Sequence, residues 1–229
     1  MSSESELLRL WNKIKGCNAC PRERRYIPWA FPERWSDKGF LGDCTVTIPE
    51  LGRTIKIMFV SFRPSTVARR WGEFPSPGSK SFENVKNYYL CLKEYGFENA
   101  HLTDILKCQK PVKAGVIPLE LRNCVTRFLS KEIEMVRPNL IVTLGRRASD
   151  LMSCIQAWLK TDIPQVQLLH YAQRKRENIR KFRKALEELR YLGLKILVLH
   201  QEGVTIQGIA KELDISSSKV RKLLQKFQL

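Results

Sequence analysis

Four of the seven cysteines stand in surroundings that suit a shared metal centre. Cys17 and Cys20 form a Cys-x2-Cys pair in a polar, basic loop, so both sulfurs can reach one ion. Cys108 follows an apolar segment, and Cys124 lies near the start of the next predicted helix. A zinc ribbon would show two such pairs, so the single pair favours an iron–sulfur cluster on four thiolates, with zinc as the alternative metal. Four unrelated buried thiols are the remaining alternative.

The number of cysteines and the length of the apolar runs indicate the cellular compartment of the protein. An odd number of cysteines argues against a disulfide framework. Residues 1–16 include acidic side chains and no continuous apolar stretch typical of a secretory signal, and no run approaches the ~20 apolar residues that cross a bilayer. We therefore expect a cytoplasmic, nucleoid-associated protein that does not enter a membrane. Three cysteines are expected to be structural thiols: Cys44, Cys91 and Cys154.

Apolar periodicity predicts the elements that position these residues. Short apolar segments indicate four strands, at 55–60, 101–106, 139–145 and 165–169. Helical patterns lie between and after them, at 119–136, 146–159 and 177–192. Alternating strands and helices predict an α/β fold with a parallel four-stranded sheet flanked by helices.

Polar residues stand where the predicted strands end. They are Ser61, Asp104, Gly145 and His170. In parallel sheets, ligands bind beyond the carboxyl ends of the strands, so these four residues mark a candidate site. Because many α/β folds share this arrangement, the pattern alone does not identify the ligand.

The charge of the chain predicts a polyanionic partner. Forty Lys and Arg against 23 Asp and Glu give a formal net charge of +17. Basic side chains that reach phosphates gain free energy by releasing condensed counterions, so DNA is the expected partner. An anionic membrane surface, ribosomal RNA and a generally basic solvated surface are the alternatives.

The C-terminal residues predict a separate module. Three short helices are expected at 194–201, 206–213 and 217–227, and the last two have the spacing of a helix-turn-helix. We therefore divide the chain into residues 1–192 and 193–229. The last helix should expose residue types that contact DNA, namely Lys219, Arg221 and Lys222. A small packing or dimerisation bundle is the alternative.

The order of the cysteines and their surroundings resembles the iron–sulfur uracil-DNA glycosylases, called family 4, of the uracil-DNA glycosylase superfamily. The similar segments are CNACPRERR, LTDILKCQKP, NCVTRFLSKEIEMVRPNLIVTLGRRA and LLHYAQRKRENIRKFRKALEELR. Together they fall within residues 5–192. The resemblance implies a 4Fe–4S cluster bound by Cys17, Cys20, Cys108 and Cys124, with a structural role.

The resemblance also implies a DNA-repair enzyme that hydrolyses the N-glycosidic bond of a flipped-out deaminated base. His170 matches the histidine that stabilises the departing base, and Asp104 stands where the family has an asparagine that reads uracil. Phe74 is the nearest match to the aromatic that stacks on the base, with Phe82 or a one-residue offset as alternatives. Ser61 and Phe62 would line the base site. A basic loop after His170 would contact DNA through Arg174, Lys175 and Arg176.

Two departures from the family pattern affect the expected chemistry. Gly-Glu-Ala-Pro-Gly in the family is replaced here by Ser61 to Ser65, and Phe62 cannot activate water as a carboxylate does. An ionised Asp104 only accepts hydrogen bonds, so it would weaken uracil recognition or favour a base that presents donors. The alternative function is therefore a non-catalytic iron–sulfur DNA-binding regulator or damage sensor on the same fold.

Overall fold

The computed structural model describes residues 3–15, 17, 19–20, 44–63, 90–107, 118–170 and 176–227. The described strands are β1 (Thr45–Ile48), β2 (Arg53–Ser61), β3 (His101–Asp104), β4 (Leu140–Leu144) and β5 (Gln165–Leu168). The helices are α1 (Ser3–Lys15), α2 (Pro118–Cys124), α3 (Ser130–Val136), α4 (Arg146–Leu159), α5 (Arg176–Glu188), α6 (Leu194–Gln201), α7 (Ile206–Glu212) and α8 (Ser217–Lys226). Two π-helical turns, Val125–Leu129 and Leu189–Gly193, join α2 to α3 and α5 to α6.

The sheet is mixed, which corrects the expectation of a purely parallel one. The four predicted strands are present and pair in parallel, β3 with β2, β2 with β4 and β4 with β5. The short strand β1 adds to them by pairing antiparallel with the first half of β2. Its four residues, Thr-Val-Thr-Ile, are too few and too polar to stand out as an apolar run.

Alternation along β2 divides the core between the two faces of the sheet. Ile57 and Phe59 belong to a cluster that includes buried residues of α5, α6, α7 and α8. Met58 and Val60 point to the other face, where they pack with apolar residues of the α2–α3 helix and of α4. A strand covered on both faces is apolar throughout, which explains the continuous IKIMFV run.

The C-terminal helices form where the sequence predicts them, and they pack on the sheet. Val220 and Phe227 lie in the same hydrophobic cluster as the sheet residues. The Phe227 carbonyl accepts a hydrogen bond from the Gln165 amide of β5, at 3.0 Å. The Thr205 and Ser216 hydroxyls cap α7 and α8 by accepting from backbone amides. The division into residues 1–192 and 193–229 stays a prediction, since residues on both sides of it share one core.

Within the described ranges, no helix is both long and apolar enough to span a lipid bilayer.

Candidate functional site

The register of β2 and β3 brings two of the predicted site residues side by side. Ser61 and Asp104 are Cα partners at the carboxyl ends of these parallel strands. The Ser61 hydroxyl donates a hydrogen bond to Asp104 Oδ1. Both side chains are buried, and the pairing continues one step further as the Ile105 amide donates to the Ser61 carbonyl at 2.9 Å. The strand ends therefore hold Asp104 in a fixed position.

Burial controls the charge of Asp104. The residue is 1% exposed, and its Oδ2 atom has no hydrogen-bond partner among the described residues. Loss of solvation raises the pKa of Asp104 to about 8; the Ser61 hydrogen bond and the positive charges of Lys107 and Arg63 act against this rise, while Glu132 adds to it. The carboxyl group is therefore neutral at pH 7 and offers one acceptor and one O–H donor.

Gly145 and His170 meet at the same end of the sheet. Gly145 has φ +87°, and its amide donates to the Leu168 carbonyl at 2.8 Å, which links the end of β4 to the end of β5. A Cβ atom at Gly145 would lie 3.2 Å from His170 Cβ, so glycine permits both the backbone conformation and the close approach. Burial lowers the pKa of His170, so its imidazole is neutral at pH 7 and keeps one N–H donor.

Two arginines lie close to the ring of Phe62. Arg147 Cζ lies 4.0 Å from the ring centroid and Arg63 Cζ lies 4.8 Å from it. The Arg63 guanidinium is also 3.8 Å from the buried carboxylate of Glu120. The sequence analysis did not single out Arg63 or Arg147. The only available signal was the position of Arg147 two residues after Gly145, in the first turn of α4.

A buried ion pair supports the segment between β3 and Cys108. Lys107 Nζ lies 2.6 Å from Glu132 Oε2, and Thr103 donates to the same carboxylate at 2.9 Å. His101 Nε2 is 4.0 Å from Glu132, and burial lowers the pKa of His101. The sequence analysis did not anticipate this network, because lysine and glutamate are almost never fully buried unless they are paired.

The described cysteines of the predicted metal centre lie on neighbouring segments. The side-chain amide of Asn123 donates to the Ala19 carbonyl at 3.1 Å and lies 3.8 Å from Cys20 Sγ. Since Asn123 precedes Cys124, these contacts hold the Cys17–Cys20 segment against the end of α2. The Lys107 amide in turn donates to Cys124 Sγ at 3.4 Å. These contacts place the segments that carry Cys20 and Cys124 next to each other and next to Lys107, the last described residue before Cys108.

These contacts are compatible with a four-thiolate centre, but the described residues alone do not form a metal site. Among the described cysteines of the set, Cys17 and Cys20 carry free thiols. Among the described residues no group of three ligand side chains is close enough to hold an ion, and Cys108 lies outside them.

Other predicted site residues divide between exposed and undescribed positions. The α8 residues are exposed to solvent as expected: Lys219, Arg221 and Lys222. Arg176 begins α5, and its side chain is not among those described. Three further predicted residues lie outside the described ranges: Phe74, Arg174 and Lys175.

Comparisons with known proteins agree with this architecture. The model of the Uracil DNA glycosylase superfamily matches residues 48–190, which is more than half of the chain. A type-4 uracil-DNA glycosylase from Archaeoglobus fulgidus is 36% identical over 55 residues. That match covers 24% of this chain and 27% of the relative, so it spans about a quarter of either protein. On the strength of the family match and of the sheet that carries the site, the chain belongs to the uracil-DNA glycosylase superfamily.

Proposed function

We propose that this protein is a DNA-repair glycosylase that hydrolyses the N-glycosidic bond of a deaminated base, uracil or a related lesion. The observation that carries the proposal is the position of His170 against Gly145, at the sheet edge where Ser61 holds Asp104. A fixed imidazole N–H donor and a fixed carboxyl group at one edge suit the recognition and release of a flipped base.

The proposed reaction assigns a separate role to each group. The bond between the anomeric carbon and the base nitrogen breaks, and its electron pair leaves with the base. The neutral His170 imidazole donates a hydrogen bond to the negative charge that develops on the base. A water molecule supplies the hydroxyl group of the sugar and the proton that the released base takes up.

Because Phe62 cannot activate water, we propose that the reaction proceeds through a cationic sugar. The ring offers no carboxylate to activate water. Departure of the base can precede attack by water if nearby DNA phosphates stabilise the cationic sugar. We therefore expect slower excision than a carboxylate at this position would permit.

Asp104 sets the choice of base in this proposal. In its neutral form the carboxyl group can accept from the uracil N3–H and donate to O4, as an amide does. The ionised form would only accept, and it would favour a base that presents donors, such as a cytosine derivative or hypoxanthine. The base preferred at pH 7 therefore depends on the proton that burial retains on this residue.

The metal centre belongs to the same proposal. Cys17, Cys20, Cys108 and Cys124 would hold a 4Fe–4S cluster, with zinc as the alternative metal. The contacts of Asn123 with Ala19 and Cys20 support the placement of the first pair beside Cys124. Ligation of the cluster by these four thiolates would tie three chain segments together beside the base site.

DNA binding is proposed to use the net charge of +17 and the exposed basic face of α8. The capped α7–α8 pair is interpreted as a helix-turn-helix that adds affinity for duplex DNA. With the basic loop after His170, these contacts would place the protein on chromosomal DNA in the cytoplasm.

A non-catalytic DNA-binding regulator or damage sensor is the second candidate function. The specific observation in its favour is Phe62, whose ring lies close to two guanidinium groups at the position where the resemblance implies a carboxylate. A damage sensor would bind the lesion and leave its glycosidic bond intact.

One assay separates the two functions. Purified protein is incubated with duplexes that carry uracil, hypoxanthine or xanthine, and abasic sites are measured by alkaline cleavage. The glycosylase proposal expects cleavage of at least one substrate by the wild type. Lesion binding with no abasic product on any duplex would support the sensor and contradict the glycosylase.

A further inference from the structure

Two neighbouring arginines at the start of α4 differ in what they contact. Arg146 lies 3.6 Å from Asp150 one turn further along the helix, and its side chain is 88% exposed. Arg147 instead places its guanidinium 4.0 Å from the centroid of Phe62. Among the described residues, Arg147 makes no ion pair. Among the described residues, the Arg147 guanidinium therefore lies over an aromatic ring without a carboxylate partner.

The start of α4 and the ring of Phe62 both restrict the position of Arg147. It lies two residues after Gly145, which packs close to His170, and its guanidinium lies over the ring of Phe62, which follows Ser61 at the end of β2. A guanidinium that stacks on a ring keeps its N–H groups free at the edges, where they can donate to an anion. Stacking also lowers the number of rotamers that binding would otherwise have to restrict.

The neighbouring charges favour an anionic ligand over a neutral one. Arg63 lies on the same ring, so two guanidinium groups share one aromatic side chain. Asp104, at the end of β3, is neutral at pH 7 for the reason given above. Glu120 lies beside Arg63, whereas Arg147 is exposed and has no carboxylate partner among the described residues.

We propose that Arg147, held on the Phe62 ring, binds one backbone phosphate of the damaged strand beside the flipped nucleotide. This inference rests on the proposed function for the identity of the strand. It assigns Phe62 a role as the platform for a phosphate-binding arginine, in a position where a water-activating group is missing. Arginine suits this role because its planar donors match two phosphate oxygens.

The test measures binding without requiring catalysis. The probe is a duplex with a fluorinated deoxyuridine analogue whose glycosidic bond resists hydrolysis, and its Kd is measured for the wild type and for Arg147→Ala. Arg146→Ala is the matched control, since it removes the same charge one residue away. Each flanking phosphate is then replaced in turn by an uncharged methylphosphonate.

We expect Arg147→Ala to raise Kd about tenfold and Arg146→Ala to leave it nearly unchanged. The salt dependence of log Kd should fall by about 0.9 in slope for Arg147→Ala. Replacement of one particular flanking phosphate should abolish the difference between wild type and Arg147→Ala. Phe62→Leu should weaken binding as well, and adding it to Arg147→Ala should cost little more.

Three results would overturn the inference. If both alanine variants weakened DNA binding equally, the two arginines would act only through diffuse electrostatic attraction. An unchanged Kd for Arg147→Ala would show that Arg147 makes no phosphate contact. A slower single-turnover release of base with an unchanged Kd would place Arg147 at the departing base. Because Kd is measured on an uncleavable duplex, a protein that binds through Arg147 but releases no base would contradict only the proposed function.

Discussion

Ser61 and Asp104 stand opposite each other at the ends of β2 and β3, and the serine hydroxyl donates to a carboxyl group that burial keeps neutral. Neither β-strand position is unusual for a parallel sheet. Because the pair is buried, the surrounding fold determines whether the Asp104 carboxyl group is protonated.

The first prediction concerns stability and Asp104. Its pKa is raised in the folded state, from an ordinary value of 3.8 to about 8, so the stability it contributes is complete below pH 4 and is lost as pH rises to about 8. The free energy of unfolding should fall by at most about 1.4 kcal/mol per pH unit in this window. Asp104→Asn should remove that dependence while keeping an acceptor for Ser61.

Urea unfolding of both proteins at several pH values between 4 and 9 measures the effect. A parallel pH dependence in wild type and Asp104→Asn would show that the carboxyl group titrates normally.

The second prediction concerns the choice of base. Uracil excision by the wild type should decline as pH rises through about 8, because the ionised carboxylate can no longer donate to O4. Asp104→Asn should retain uracil excision across the same range. Single-turnover rates on uracil and hypoxanthine duplexes are the measurement, and a strict uracil preference with the same pH profile in both proteins would contradict it.

The third prediction concerns the buried pair of Lys107 and Glu132, whose charged atoms are 2.6 Å apart. Lys107→Met should cost about 3–5 kcal/mol of unfolding free energy, because Glu132 would remain buried without its partner. Lys107→Met combined with Glu132→Met should cost less than the sum of the single variants.

The exposed pair of Lys181 and Glu177 offers a matched control at the same distance, 2.6 Å. Lys181→Met should change stability little, since solvent screens that pair. Denaturant unfolding is the measurement, with iron content determined on each sample. Equal small effects at both pairs would mean that the buried network does not support the fold.

The fourth prediction concerns the cysteines. Cys20→Ser and Cys124→Ser should lower the iron content and the visible absorbance of the purified protein, because each removes one of four proposed ligands. Cys154→Ser is the control, since that thiol is exposed on α4. A colourless wild type with one equivalent of zinc would identify the alternative metal. A wild type free of both metals would contradict the proposed centre.

Short apolar runs made the strands predictable. The segments IMFV and LIVTL are buried on both faces of the sheet, so they appear in the sequence as strands without reference to any partner. The boundaries of α4 were equally local, because they depend on a few adjacent residues. The strand β1 escaped notice because its pairing with β2, rather than its composition, makes it a strand.

The candidate site was predictable only in part. Ser61, Asp104, Gly145 and His170 could be found because parallel strands end at one edge. The neutral state of Asp104 could not, since it depends on burial by distant segments. The contact of Arg147 with Phe62 joins residues far apart in the sequence, and a charged side chain after a glycine turn otherwise indicates only a solvated helix start.

The most direct test of base excision at the sheet edge is to quantify free base and abasic sites together, by mass spectrometry, under single-turnover conditions. The wild type should release free base in the same amount as abasic sites from its preferred lesion duplex. His170→Ala should bind that duplex equally well and release base at least about a hundredfold more slowly, as loss of a preorganised donor predicts. Release at the same rate by both proteins, or tight binding without release by either, would contradict the assignment of His170 to the departing base.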